Sequence, residues 1–243
     1  MKKVLLSFAA LAVVAASQAQ VLTQWDFNGT LNTTSPVTAI GAGTASLVGG
    51  TSGASASGSP ADPAVTSDNR WNVSTFPAQG SGSGTAGARF DVSTAGLSAV
   101  RVSLNWRTSN TASRFARFQY TTDGSTWNNV SVLTSAWNTT NLAFENPVAG
   151  EISISTGGDS WHRIDADLSG VSAVNNNANF GFRVVSVFDP AGSGFVAANP
   201  TSNYATTGTY GFDLVTVEAV PEPMTMGLLA LGLAGMAARR RKA

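Results

Sequence analysis

The sequence predicts an all-β protein: a single antiparallel β-sandwich between two short terminal segments. Strand-like alternation of apolar and polar residues recurs through the body of the 243-residue chain. No body window of about twelve residues has the spacing of an amphipathic helix. The chain has no cysteine, so an apolar core rather than disulfides has to stabilise the fold, and about 200 residues suffice for one.

The first residues, "MKKVLLSFAALAVVAASQAQ", have the pattern of a secretory signal peptide. Lys2 and Lys3 precede an apolar run over residues 4–16, and small residues stand at positions −3 and −1 of a cleavage site after Ala19. An uncleaved anchor helix is the alternative, but the apolar run is too short to span a membrane comfortably. We therefore predict an N-terminal signal helix, removed by signal peptidase.

The charge of the body differs from that of the whole chain. Outside the two ends there are eight arginines, no lysine and thirteen acidic residues, a net charge of −5. Nucleic-acid binding requires a basic surface, so we predict no nucleic-acid partner.

Three strands have the clearest alternation. In "AVRVSLNWR" the alternate residues from Val100 to Trp106 are apolar, which predicts a half-buried strand with Trp106 inside. "NFGFRVVSVF" and "YGFDLVTVE" follow, and in the second Phe212 and Leu214 are expected on one face. Further candidate strands are "LTQWDF", "ARFDVS", "RFARFQY", "WNNVSVL", "EISIS" and "WHRIDADL".

Many short strands joined by polar turns favour a sandwich of the jelly-roll kind. A parallel β-helix is the main rival, but no fixed repeat of 20–30 residues is present. The segments at 41–60 and 78–88 are rich in Gly, Ala and Ser, and we expect them to be mobile loops because they bury little apolar surface.

The stretch "FQYTTDGSTWNNV" predicts a hairpin, because Asp123-Gly124 favours a tight turn with positive φ. It resembles the Y-S-x-D-G-x-x-W hairpin of galactose-binding-like jelly rolls. Exported proteins of that kind often hold a structural Ca²⁺ between the first and last strands. The resemblance implies that Asp26 and Asp213 are the calcium ligands to test. Hard oxygen ligands suit Ca²⁺, and one histidine without cysteine disfavours zinc.

The C-terminal segment "VPEPMTMGLLALGLAGMAARRRKA" joins a proline-flanked acid, an uncharged run over 224–238 and a basic end. A helix over that run would be about 22 Å long, so it would need snorkelling or local thinning of the bilayer to cross it. The basic end would stay in the cytoplasm. It consists of Arg239, Arg240, Arg241 and Lys242.

This segment resembles the PEP-CTERM sorting signal of Gram-negative bacteria, with Pro221, Glu222 and Pro223 as the motif. The resemblance implies export, a transient inner-membrane anchor, processing by an exosortase, and delivery to the cell surface or extracellular matrix. A simple C-terminal membrane anchor is the alternative. We predict three regions: signal peptide 1–19, β-sandwich 20–218 and sorting signal 219–243.

Catalytic candidates are few. His162 is the only histidine and no Gly-x-Ser-x-Gly elbow is present, so a structural role is expected for it. Asp165 and Asp167 share a strand face about 7 Å apart, a separation that glycosidases use between carboxylates from different elements. We predict that the protein is not an enzyme.

Exposed tryptophans are the candidate sugar-binding residues, because indole rings stack on sugar rings. Trp71 and Trp137 lie in loop-like surroundings and are the predicted platforms. The first functional hypothesis is a non-catalytic structural or adhesive protein of a biofilm or exopolysaccharide. A carbohydrate-binding module is the alternative, with exopolysaccharide as its partner, and a glycan hydrolase is the third.

Overall fold

The computed structural model describes residues 18–29, 32–63, 66–140, 142–144, 148–154 and 157–222. They form two antiparallel sheets packed face to face with almost no helix, which confirms the all-β sandwich. The predicted signal helix and transmembrane helix lie outside the described residues. The strands are β1 (Gln20–Trp25), β2 (Thr44–Val48), β3 (Ser52–Ser57), β4 (Asn69–Ser74), β5 (Gly87–Asp91), β6 (Leu97–Thr108), β7 (Phe115–Thr121), β8 (Asn128–Asn129), β9 (Leu133–Thr134), β10 (Leu142–Phe144), β11 (Glu151–Ile154), β12 (Trp161–Asp167), β13 (Gly181–Ser186) and β14 (Tyr210–Pro221), with a 3₁₀ turn at Ser172–Val174.

Sheet I has the strand order β3–β4–β14–β6–β12–β9. The long strand β14 is its centre: one edge pairs with β6, and the other pairs with β4 over residues 210–212 and with β1 over residues 215–219. Among the described residues, no helix is both long and apolar enough to span a membrane.

Sheet II has the order β10–β11–β7–β13–β5–β2, and β8 pairs with β7. Its strands are in register over long stretches, so side chains from successive strands form straight rows across the sheet. On the inner side, Phe182 of β13 stands opposite Phe90 of β5 and Tyr120 of β7. On the outer side the same registers align polar residues, which matters for the site described below.

Aromatic rings from both sheets fill the core. Phe90 of sheet II has its ring centroid 5.1 Å from that of Trp25 and 6.0 Å from that of Trp71, both in sheet I. Trp106 is fully buried, as the alternation of its strand predicts, and packs edge-on against Tyr210 at 5.2 Å. Burying several rings of this size supplies most of the hydrophobic stabilisation that a chain without disulfides needs.

The expectation of a loop over residues 41–60 is wrong, because this segment contains β2 and β3. Its small residues are required by the large rings beneath it. A Cβ atom added to Gly43 would lie 2.8 Å from the Trp25 ring, and one added to Gly53 would collide with the Thr33 carbonyl and press on the Trp71 indole nitrogen. The segment therefore pairs as strands and packs without large side chains of its own.

Strand β14 departs from the alternation that the sequence suggests. A register shift lies between Asp213 and Thr216, where Leu214 has a φ of 45°. This bulge reverses the alternation, so Val215 and Val217 are buried in the core while Leu214, expected beside Phe212, is only half-buried.

Candidate functional site

The predicted sorting signal, residues 219–243, begins inside the fold. Pro221 is the last residue of β14 and stands opposite Leu97, and the backbone N–H of Glu222 donates to the carbonyl of Gly96 at 3.0 Å. The predicted sandwich boundary at residue 218 therefore falls within a paired strand. Ala19 is exposed directly before β1. Pro223 and the basic residues 239–242 lie outside the described residues.

A cluster of three carboxylates lies on the outer side of sheet I. Asp213 of β14 meets Asp62 and Asp68 from the β3–β4 loop, with one oxygen of each within 4.8 Å of the others. Gly58 leaves the space for them, because a Cβ atom there would collide with Asp68 and approach Asp213. Among the described residues this is the one group of three or more His or acidic side chains close enough to share a metal ion.

Two carboxylates of the cluster, Asp213 and Asp68, have raised pKa values. Asp213 is fully buried and accepts hydrogen bonds from the backbone N–H of Ser59 at 2.6 Å and of Leu214 at 2.8 Å, yet burial raises its pKa to about 8. Burial and the neighbouring Asp62 also raise the pKa of Asp68, whose Oδ1 is buried without a hydrogen-bond partner. The three carboxylates include one oxygen that no hydrogen bond satisfies. Together they offer the oxygen ligands that a hard cation such as Ca²⁺ prefers.

The structure separates the two residues predicted as calcium ligands. Asp213 belongs to the cluster, but Asp26 does not: its Oδ1 accepts the backbone N–H of Asn28 at 3.2 Å. Asn28 in turn donates from Nδ2 to Asp62 at 3.0 Å. The segment after β1 thus supports the cluster through the amide of Asn28, while the β3–β4 loop and β14 supply the carboxylates.

The two predicted tryptophan platforms behave differently. The loop placement of Trp71 is wrong, since Trp71 lies in β4, is fully buried and donates from Nε1 to the carbonyl of Thr33 at 2.8 Å. Its ring faces the core and offers no surface to a sugar. Trp137 is 36 % exposed, and its carbonyl accepts the N–H of Arg163 at the edge of β12. Its role as a platform remains a prediction.

We call the solvent side of sheet I face I; its charged residues project from β4, β6, β12 and β14. Most of them form ion pairs: Arg163–Asp165 at 2.8 Å and Arg101–Asp167 at 3.5 Å line a shallow depression of about 150 Å³ with Glu218. A third pair, Arg107–Asp159 at 2.6 Å, lies at the end of the sheet.

The catalytic candidates lie in two places, Asp165 and Asp167 on face I and His162 in the interior beneath it. Hydrogen bonds from Ser169 and the nearby Arg101 lower the pKa of Asp167, whereas a general acid needs a raised pKa. His162 points to the interior, is 1 % exposed, and donates from Nδ1 to the carbonyl of Asn138 at 2.7 Å. Burial lowers its pKa, which keeps it neutral at physiological pH.

We call the solvent side of sheet II face II, and one straight row of polar side chains crosses it. The registers of five neighbouring strands bring these residues into line. At roughly 4.8 Å per strand the row extends over about 19 Å, the length of a short oligosaccharide. In spatial order it consists of Ser46, Arg89, Arg183, Gln119 and Asn129.

Hydrogen bonds fix this row. Gln119 donates from Nε2 to Asn129 at 2.9 Å and accepts from Nε of Arg183 at 2.9 Å. Arg89 donates from Nε and Nη2 to the carboxylate of Asp91 at 2.8–2.9 Å. Asp91 fits there because Gly181, directly opposite on β13, has no side chain to occupy the same space.

Trp127 covers the row. Its half-buried ring has its centroid 4.3 Å from Cζ of Arg183 and 5.2 Å from Cζ of Arg89. The preceding turn holds the ring in place: Asp123 accepts the backbone N–H groups of Ser125 and Thr126, and Gly124 has a φ of 79°. The hairpin and its turn could be predicted from the sequence but the arginines could not, because β5 and β13 contribute them from distant parts of the chain.

These features define a jelly-roll-like β-sandwich with one ion-paired outer face, one hydrogen-bonded row beneath an indole, and a last strand that runs into a processing segment. Residues 219–242 match the family model for the PEP-CTERM protein-sorting motif, so the chain carries that signal. The signal marks the protein for export, for transit in a membrane-anchored form, and for processing by an exosortase. Comparison with curated proteins gives no significant sequence match.

Solved structures resemble the sandwich in fold alone. The CBM22-1 xylan-binding domain of Paenibacillus barcinonensis Xyn10C is 11% identical with a TM-score of 0.47, over 86% of this chain and 99% of that one. A family 22 carbohydrate-binding module of Clostridium thermocellum Xyn10B is 11% identical with a TM-score of 0.44, over 84% and 96%. A cleaved adhesin domain of Lys-gingipain from Porphyromonas gingivalis is 10% identical with a TM-score of 0.34, over 84% and 98%.

Proposed function

We propose that this protein is an exported, non-catalytic polysaccharide-binding protein, delivered by its sorting signal to the cell surface or matrix of a Gram-negative bacterium. Its β-sandwich would bind glycan along face II and serve an adhesive role there. The observation that carries this proposal is the in-register row of Arg89, Arg183, Gln119 and Asn129 beneath Trp127. It favours the carbohydrate-binding hypothesis over a purely structural role.

The chemistry of the row suits a sugar chain. Sugars present many hydroxyl groups around an apolar ring face, so their sites combine a few fixed donors and acceptors with an aromatic surface. Gln119 and Arg183 are held by each other, which lowers the entropy lost when a glycan orders them. The absence of catalysis is supported by face I, where Asp165 and Asp167 are each paired with an arginine.

The matching test compares two tryptophans. Trp161 on face I also lies over an arginine, with its ring centroid 5.8 Å from Cζ of Arg70, and is half-buried like Trp127. The full chain and its Trp127→Ala and Trp161→Ala variants are titrated against polysaccharide isolated from the producing cells. We expect Trp127→Ala to weaken binding about tenfold or more, and Trp161→Ala to leave it unchanged.

Two results would contradict the assignment to face II. Equal binding by the wild type and Trp127→Ala, with unchanged melting temperatures, would remove face II as the site. A loss confined to Trp161→Ala would move the site to face I.

We also propose a structural Ca²⁺ in the carboxylate cluster. Asp62 and Asp68 of the loop and Asp213 of β14 supply the oxygens, so the ion would tie the β3–β4 loop to the central strand of sheet I. The buried oxygen of Asp68 without a hydrogen-bond partner is the observation that favours this over a surface cluster of acids.

A further inference from the structure

Arg183 is the one charge of the face II row without a counter-charge. Its neighbour Arg89 is neutralised by Asp91 through both carboxylate oxygens. Arg183 uses its Nε for the amide oxygen of Gln119, and among the described residues no carboxylate lies within ion-pair distance of it. Arg89, Asp91 and Arg183 together therefore leave one positive charge on face II.

The surroundings make this charge costly without an anion. Burial and the adjacent guanidinium of Arg89 lower the pKa of Arg183 to about 10, so the side chain remains charged at neutral pH but gains little from its environment. The shared ring of Trp127 supplies the attraction of its π-face. In a body that carries a net charge of −5, this is a local positive site that an incoming anion would stabilise.

The end groups of Arg183 remain available for recognition. No hydrogen bond engages its Nη1 or Nη2 with another described residue, and Arg183 is half-buried rather than fully buried. A guanidinium edge of this kind matches a carboxylate bidentately, with planar and directional pairing. The indole of Trp127 stands next to this guanidinium, with its ring centroid 4.3 Å from Cζ of Arg183.

The arginine under Trp161 on face I does not have this freedom. Arg70 donates from Nη1 to the carbonyl of Ser57 at 2.6 Å and from Nε to Asn72 at 3.1 Å. Arg107 also acts on Arg70 electrostatically, and Asp159 and Asp213 act in the opposite sense. The difference between these two arginines makes Arg70 a matched control.

We propose that face II recognises acidic saccharides: the carboxylate of a uronic acid residue pairs with the guanidinium of Arg183, and its pyranose ring lies against Trp127. This inference rests on the proposed function, since it names the class of glycan that the same site takes. The remaining amides of the row, on Gln119 and Asn129, then contact the hydroxyl groups of the adjoining sugar.

The test uses two chemically matched probes. Hexagalacturonate and its fully methyl-esterified form have the same rings and hydroxyl groups but differ in charge. Each is titrated by calorimetry into the full chain in detergent micelles, at low and at raised NaCl concentration. We expect the acidic hexamer to bind at least about tenfold more tightly than the ester, with a preference that shrinks as salt rises.

Variants assign the preference to its residue. Arg183→Gln is expected to remove the preference for the acid, and Arg183→Lys to restore only part of it, because a lysine keeps the charge but lacks the planar pairing. The control Arg70→Gln is expected to bind both probes as the wild type does. Melting temperatures establish that each variant is folded.

The outcomes separate this inference from the proposed function. Equal binding of acid and ester, with both lost in Trp127→Ala, would overturn the charge preference and leave glycan binding at face II intact. Full acid preference in a folded Arg183→Gln would overturn the role of Arg183. Binding of neither these probes nor the cells' own polysaccharide would overturn both proposals.

Discussion

Face I and face II contain the same kinds of side chain but arrange them differently. Each has a half-buried tryptophan over an arginine, and each has several arginines and carboxylates in neighbouring rows. On face I the arginines of β6 and β12 meet carboxylates, and Asp213 lies beneath a loop. On face II the register sets Arg183 beside another arginine and a glutamine. Strand register, rather than composition, therefore decides which face keeps a group available for a ligand.

The largest change in thermal stability is expected from the carboxylate cluster on face I. If the proposed Ca²⁺ is bound, its removal with EDTA would leave Asp62, Asp68 and Asp213 without an offsetting charge. Saturating calcium should raise the melting temperature by about 5–10 °C over the chelated state, as a few kcal/mol of binding energy would in a domain of this size. Thermal denaturation of the full chain with EDTA and with CaCl₂ measures it.

Two variants localise that response. Asp68→Asn should abolish the calcium response, and Asp91→Asn, an acid of face II, should retain it. Identical melting curves with and without calcium in the wild type would rule out the ion.

His162, in the core beneath face I, should make the stability of the protein depend on pH, and this change should be smaller than that from calcium. An unfolded histidine has a pKa near 6.5, and burial lowers the pKa of His162 in the folded protein. Below pH 6.5 the unfolded chain therefore binds more protons, so stability should fall as the pH decreases. His162→Gln should flatten the dependence of the melting temperature on pH between 7.5 and 5. A variant profile that parallels the wild type would contradict this.

The affinity of face II for an acidic glycan should increase when Arg89 loses its counter-charge. Asp91→Asn removes the carboxylate that neutralises Arg89, so the site gains one net positive charge. We expect about a threefold gain in affinity for hexagalacturonate, the scale of a partly exposed ion pair, and no gain for its methyl ester. Calorimetry measures both, and a gain shared by the two probes would indicate a cause other than charge.

The smallest change in stability is expected from removal of an ion pair on face I. Arg163 and Asp165 are substantially exposed, and pairs of this kind typically contribute about 0–1 kcal/mol. Arg163→Gln should therefore change the free energy of unfolding in urea by less than about 1 kcal/mol and leave glycan binding unchanged. A marked loss of binding would make face I a second glycan site.

The strands with strict alternation could be predicted from the sequence. Trp106 follows the core side of its strand, and its burial is confirmed. Trp71 could not be placed, because its neighbours Arg70 and Asn72 lie on the polar outer face and make "NRWNVS" look like a loop. The bulge at Leu214 depends on a single positive φ, which local alternation does not encode.

The candidate sites were harder to predict than the strands, because each brings together residues that are distant in the sequence. The face II row joins residues from 46 to 183 through four strand registers, and only Gln119 and Asn129 belong to one local motif, the predicted hairpin. Asp62 and Asp68 meet Asp213 only because the β3–β4 loop folds over β14. The sorting signal was predictable because its residues are contiguous and their order alone identifies it.

The position of the sorting signal has a mechanical consequence. The signal continues directly from β14, the strand of sheet I that has β6 on one side and both β1 and β4 on the other. A tension applied at this end, such as shear flow would exert on a protein tethered at its C-terminus and holding a polysaccharide, enters the sheet along the axis of that strand. The load is then shared by many antiparallel hydrogen bonds pulled in parallel rather than opened one after another. In such a tethered state the pull would act on the strand that has the most strand partners among the described residues of sheet I.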